Sequence, residues 1–262
     1  GDAEASGAQK ILRVHREHFE TFDTPSFRLA VERNMRMVVD LLRATSRLDP
    51  VSLNRIVDYV VSQETFNYAV AEHQWGTSQA FHKIADMGPT KFLDTHRILE
   101  DVTRDRGCYA AGFKKNPRDA VEIIQVVANI GEAALGELMS DPETREAFLT
   151  RIRVCPRNAA HFLQEVALMG IPVFNRLVDD DLGRPLVNEM LRTRGCNLVR
   201  LMRRLNIVGV DDSRRELRAW KSEHVAHTLS PANAVEVIGL IKERVLEHRF
   251  SDPQRKIPVA LP

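Results

Sequence analysis

The 262-residue sequence predicts an all-α fold, an α-solenoid of about five or six helix-pair repeats of roughly 39 residues each. Three observations predict it. The stretches NPRDAVEIIQVVANIG (116–131) and CPRNAAHFLQEVALMG (155–170) share one pattern: polar–Pro–Arg–polar, an apolar-rich run, and Gly fourteen residues after the Pro. Their apolar residues fall at helical spacing. Strand signals are nearly missing, with no sustained period-two run and no Asn-Gly or Asp-Gly turn.

The elements follow in order. Residues 1–22 read as a polar segment (Gly1 to Gln9) and a leading helix (Ile11 to Phe22), residues 23–249 as the repeat domain, and 250–262 as an extended tail with three prolines. With Pro117 as position zero, Ala120, Val121, Ile123, Ile124, Val127, Ala128 and Ile130 stand at +3, +4, +6, +7, +10, +11 and +13; Ala159, Ala160, Phe162, Leu163, Val166, Ala167 and Met169 match them after Pro156. Further first helices start at Met35, Gln74, Gly195 and, in a shorter-spaced copy, Pro231. Pro suits a helix start, and Gly88, Gly131, Gly170 and Gly209 suit left-handed C-terminal caps. Second helices are expected over roughly Leu53–Ala71, Phe92–Phe113, Ala133–Ile152, Val173–Leu191 and Ser213–His227. Neither helix of a pair buries its apolar side alone, so the pairs are expected to stack in one elongated, right-handed body.

Composition narrows the function. With 44% hydrophobic and 28% charged residues the chain is too apolar to be disordered, and no run reaches the ~18 apolar residues of a membrane span. Three cysteines, Cys108, Cys155 and Cys196, argue against a disulfide framework and for a reducing compartment. The net charge is only +1, yet the cations are mostly arginine, the side chain suited to bidentate phosphate contacts and base stacking; coding bias gives the same excess. The start GDAEASGAQK, without Met, fits either a removed targeting segment or a trimmed chain.

The unit GIPVFNRLVDDDLGRPLVNEMLRTRGCNLVRLMRRLNIVG (170–209) resembles the degenerate helix-pair repeats called octotricopeptide- or heptatricopeptide-type. The polar–Pro start, the closing Gly, and Phe92 and Phe174 four residues after Gly88 and Gly170 carry the resemblance, over roughly Met35 to Arg249. It implies an organellar RNA-binding protein of the kind that includes FAST-kinase-like and RAP proteins, although no RAP module is recognisable. A mitochondrial matrix protein is the expectation, with a plastid or the cytoplasm as alternatives.

Two sets of residues are candidates for RNA contact. Offsets +5, +8 and +12 vary between repeats: Gln79, His82 and Asp86; Glu122, Gln125 and Asn129; His161, Gln164 and Leu168; Arg200, Arg203 and Ile207. Polar side chains there suit base edges, and a solvated face is the plainer reading. The stronger signal is the Arg-rich edge. Arg192, Arg194, Arg200, Arg203, Arg204, Arg214, Arg215 and Arg218 face only Asp211, Asp212 and Glu216 within the same segment. Arg151, Arg153 and Arg157 occupy the inter-repeat turn one unit earlier, and Lys114, Lys115 and Arg118 the one before. Local pairing with acids is the competing reading.

Enzyme signals are weak. There is no phosphate-binding G-x-x-x-x-G-K-[ST] or G-x-G-x-x-G motif. The pairs His15/His18 and His224/His227 supply two ligands where zinc needs more, and Asp179, Asp180 and Asp181 diverge around a helix. Cys155 and Cys196 at repeat junctions read as gap-fillers, and Trp75 and Trp220 as helix-end packing. The expectation is a non-enzymatic protein without cofactor, binding RNA (rRNA or organellar transcripts) and neighbouring proteins in a ribonucleoprotein such as a ribosome. The alternative is a protein-binding scaffold or assembly factor.

Overall fold

A computed structural model describes residues 24–179, 183–193 and 195–208. The leading helix, the second helix over 213–227, the copy at Pro231 and the tail lie outside the described residues. Among the described residues there are helices and no strand. They are α1 (Pro25–Thr45), α2 (Pro50–Arg55) running into a π-helical stretch (Ile56–Val61), α3 (Gln63–Glu72), α4 (Gln74–Met87), α5 (Pro89–Thr103), α6 (Cys108–Lys115) and α7 (Pro117–Ile130). Then come α8 (Glu132–Leu138), α9 (Pro142–Val154), α10 (Pro156–Met169), α11 (Ile171–Leu177), α12 (Arg184–Thr193) and α13 (Gly195–Val208).

Helix starts follow from capping chemistry. Before Pro25, Pro50, Pro117 and Pro142 stand Thr24, Asp49, Asn116 and Asp141. Their side-chain oxygens accept from the amides of Phe27 (3.2 Å), Ser52 (2.9 Å), Asp119 (3.2 Å) and Thr144 (2.8 Å). Each cap satisfies an amide that the helix itself leaves unbonded, while Pro at the first position lacks one to satisfy.

The predicted register is observed over its first five offsets, whereas +11 and +13 are not buried in α7 and α10: Ala128, Ile130 and Met169 are half-buried and Ala167 is exposed. Offsets +3, +4, +6, +7 and +10 are buried in α4, α7, α10 and α13, from Thr77, Ser78, Ala80, Phe81 and Ile84 to Leu198, Val199, Leu201, Met202 and Leu205. In α1 the origin at Met35 follows a break at Asn34 (φ −159°, ψ 83°), whose side-chain oxygen accepts from the Met37 amide at 3.3 Å. Val38, Leu41, Leu42 and Thr45 are then buried at the same offsets.

Many consecutive helices are joined by single residues. His73, Asn116 and Cys155 turn the chain with φ of −128°, −156° and −152°. Each donates its amide to the helix behind and accepts from the helix ahead: Asn116 N–H reaches Gly112 O at 2.9 Å, and Ala120 N–H reaches Asn116 O at 3.0 Å. The alternate corners are Gly88, Gly131 and Gly170, with φ of 89°, 82° and 87° and ψ of 131°, 164° and 127°. Positive φ was expected there, but the extended ψ takes these residues out of the left-handed helical cap and into a region essentially restricted to glycine. A Cβ at any of the three would meet nothing within 4 Å, so conformation alone selects glycine. Ser62 adopts the same conformation without being glycine (φ 73°, ψ 144°) and caps α3 by accepting from the Thr65 amide at 3.2 Å.

The expected continuous second helices are broken. The interruptions fall at Ser62, at Arg104 to Gly107, at Met139 to Asp141, and between α11 and α12. Arg104 is left-handed (φ 58°), and the Asp105 carboxylate accepts from the amides of Gly107 (2.8 Å) and Cys108 (2.7 Å), which starts α6. Each segment of about 39 residues therefore holds three helices rather than two.

The chain divides into two compact units, Gly1–Leu163 and Gln164–Pro262. In the first, like packs on like in three rows: α4 lies against α1 and α7, α6 against α3 and α9, and α5 against α2, the π stretch and α8. Phe66 meets Phe81 edge-on at 5.6 Å, and Tyr109 meets Phe92 at 6.2 Å. Gly112 lets α6 and α9 approach closely; a Cβ there would lie 2.9 Å from Ile152 Cγ2 and 3.0 Å from its carbonyl oxygen. In the second unit, α12 packs on α13.

Two substitutions separate the corner geometry from packing. Gly170→Val is expected to lower stability by about 2 kcal/mol or more, because a β-branched residue is strained at that φ. Ser62→Gly is expected to raise it by ~1 kcal/mol: relief of the positive φ outweighs the few tenths lost with the cap. Denaturant melts of both variants check the two signs.

Candidate nucleic-acid interface

The apolar offsets of α1, α4 and α7 face the core, so their polar residues meet across neighbouring helices. The spacing of these meetings is close to the repeat length. Arg47 pairs with Asp86 (2.6 Å) and Lys83 with Glu122 (2.5 Å), each 39 residues apart. Asp40 accepts a hydrogen bond from Ser78 Oγ, 38 residues on, and lies 3.4 Å from His82 Nε2. Burial pushes the Asp40 carboxyl up, but the Ser78 and His82 contacts outweigh it and hold it below its ordinary range. Asp119, by contrast, is pushed up by burial and by Glu122, against Arg157 at 3.8 Å and Arg118. Within the second compact unit, Arg203 Nε donates to Glu165 Oε1 at 2.6 Å, again 38 residues away, and Asn206 Nδ2 donates to Glu165 Oε2 at 2.9 Å.

These bridges decide where several sequence-predicted residues go. His82, Asp86, Glu122 and Arg203 tie one helix to the next, whereas Asn129, Gln164 and Arg200 stay exposed. Glu165 is only 8% exposed, so Arg203 is the counter-charge of a nearly buried carboxylate. Arg151 is only 5% exposed and is engaged. Arg153 pairs with Asp105 and, at 3.6 Å, with Glu146. Arg192 is half-buried and engaged. Arg194, Arg214, Arg215 and Arg218, and the side chains of Arg204 and Ile207, lie outside the described residues, as does Trp220. Cys108 is buried, Cys155 is a corner residue and Cys196 is exposed.

The single-residue corners place cations in neighbouring positions. The corner between α6 and α7 carries Lys114, Lys115 and Arg118, and the corner between α9 and α10 carries Arg153 and Arg157. Since α6 packs on α9 and Arg157 reaches Asp119 of α7, the two corners adjoin. Several of their ion pairs are long, such as the exposed pair of Lys114 with Glu64 at 3.7 Å and the partly buried pair of Arg118 with Glu122 at 3.6 Å. Exposed pairs of this kind contribute about 0–1 kcal/mol, so an incoming phosphate competes with them readily.

Sequence reasoning missed the aromatic component. Trp75, expected to pack at a helix end, is 53% exposed beside the corner between α3 and α4, and Arg118 Cζ lies 5.2 Å from its ring. Tyr68 is 41% exposed, with Lys114 Nζ 4.9 Å from its ring and His73 edge-on at 5.8 Å. Pairing each ring with a cation one segment ahead, 46 positions for Tyr68 and 43 for Trp75, was the available signal.

Elsewhere, α5 and α6 enclose a polar cluster. His96 is 4% exposed and lies edge-on to Tyr109 at 4.9 Å; His96 Nε2 and the Tyr109 hydroxyl have no hydrogen-bond partner among the described residues. Burial raises Tyr109 above its ordinary range and pushes Cys108 up to about 12, which makes that thiol a poor nucleophile. Among the described residues no group of His, Cys, Asp or Glu is arranged to hold a metal ion, and no helix is long and apolar enough to cross a membrane. Comparison with known proteins gives no matching family model, no matching curated protein and no matching solved structure.

Burial holds His96 down at about 4, against 6.5 for an ordinary histidine. The folded chain thus resists a proton that the unfolded chain accepts. Stability is expected to be full above pH 6.5 and to fall as pH drops toward 4, by roughly 3 kcal/mol from this group. Denaturant melts across that window, compared with His96→Phe, should show a flatter profile for the variant.

Proposed function

We propose that the chain is a non-enzymatic α-solenoid that binds RNA along the edge where one 39-residue segment passes into the next, as a subunit of an organellar, mitochondrial ribonucleoprotein. The observation that carries this reading is the adjacency of the two basic corners, Lys114, Lys115 and Arg118 beside Arg153 and Arg157. A phosphate backbone carries charge along its whole length and can engage both corners at once. The recurring burial register and the bridges at 38 to 39 residues support a solenoid. The resemblance to octotricopeptide-type repeats supports the organellar setting. The described Arg200 and Arg203, and the arginines 204 to 218, join the proposal through their charge.

A second reading, a scaffold for a protein partner, is favoured by Val51 and Tyr59, two strongly exposed apolar side chains on the α2 and π segment. In that case the basic corners would serve a protein contact.

Filter binding of RNA across a salt titration tests the first reading. Affinity is expected to fall steeply with salt, and Lys114→Gln with Lys115→Gln to flatten the slope by about 0.7 per lost phosphate contact. Arg157 and Arg203 are left intact in this test because their loss would strand the Asp119 and Glu165 carboxylates. Salt-independent or missing binding, with protein partners that survive RNase, would move the assignment to a scaffold.

A further inference from the structure

We propose that Trp75 and Tyr68 form a stacking shelf for unpaired bases, so that the RNA held by this edge is single-stranded there. The inference rests on the RNA-binding reading and specifies the form of its ligand.

The shelf is built from two adjacent corners. Tyr68 and His73 close α3, and Trp75 opens α4. Against them sits the next corner: Gly76 faces Pro117, with 3.5 Å between a Cβ position at Gly76 and Pro117 Cδ. That approach sets Lys114 over the Tyr68 ring and Arg118 over the Trp75 ring. The arrangement leaves polar capacity unused, since Arg118 Nε is buried from solvent and has no hydrogen-bond acceptor among the described residues; Glu122 lies beyond hydrogen-bonding distance at 3.6 Å. Half-exposed rings beside cations match what an unpaired nucleotide presents. A base offers an aromatic face to the ring or to the guanidinium plane, and its phosphate offers charge to Lys114 or Arg118. In a duplex the base faces are stacked on one another, so a double strand would reach only the cations. An acidic peptide likewise satisfies the cations and leaves both rings unmet.

The probe is tryptophan fluorescence. The chain has two tryptophans, so Trp220→Phe leaves Trp75 as the reporter. Titration with an oligouridylate of about 12 nucleotides is expected to quench it. The same strand annealed to its complement, and polyglutamate, are expected to leave the emission unchanged. Trp75→Ala and Tyr68→Ala should each weaken single-strand binding roughly tenfold with an unaltered salt slope. Trp75→Phe, which keeps a ring, should restore most of that loss. Both positions are substantially exposed, and a thermal melt confirms that each variant is folded. Salt-dependent binding at full affinity in both alanine variants would remove the shelf and leave the RNA reading standing. Equal quenching by duplex or polyglutamate would also remove the shelf. No binding to any RNA would remove shelf and reading together.

Discussion

The structure depends on corners that are one residue long. Where α3 meets α4, or α7 meets α8, the joining residue completes the last hydrogen bond of one helix and accepts the first of the next. Helix ends ordinarily leave backbone groups to be satisfied by loops, side chains or water, and here the next helix does part of that work. Two backbone conformations suffice. One is the negative-φ turn at His73, Asn116 and Cys155, and the other is the positive-φ turn at Gly88, Gly131 and Gly170.

Short corners leave apolar burial little choice of register. With no slack at either end, a helix buries whichever offsets its corner points inward. The buried set +3, +4, +6, +7 and +10 accordingly recurs whatever the residue type. In α4 two of those places are Thr77 and Ser78. Thr77 donates to the carbonyls of Ala69 and His73 at 2.9 Å, and Ser78 to Asp40, so burial is met by bonding rather than by apolar chemistry. Charge is then left to the outward positions, where Lys83 and Glu122 join neighbours that the core has already set side by side.

Sequence periodicity was a good guide to the first helix of each segment, because Pro, an N-capping side chain and a closing Gly are local signals with local causes. Even the origin at Met35, inside a helix of 21 residues, coincides with the break at Asn34. The second helices were harder. Their apolar pattern continues across Asp105 and across Met139 to Asp141, and period alone does not register a change of direction. Asp141 before Pro142 carried the same start signal as Asn116 before Pro117 and was outweighed by the pattern around it. The ψ of the corner glycines was not legible, since glycine is compatible with either positive-φ conformation. The interface was legible as charge and not as aromatic shape: Trp75 next to Arg118 is a product of packing between α4 and α7, remote in sequence.

Corners without slack also govern how such a chain can change its length. One residue added within a helix rotates everything after it by about 100° about the axis, turning the core face toward water. A surface loop would absorb that insertion, and a corner made only of Gly131 or Asn116 has nowhere to put it. Viable insertions and deletions should therefore concentrate in the looser breaks at Arg104 to Gly107 and Met139 to Asp141, or else arrive as whole segments. Genomes that lengthen this architecture would do so by duplication, in steps of one complete period.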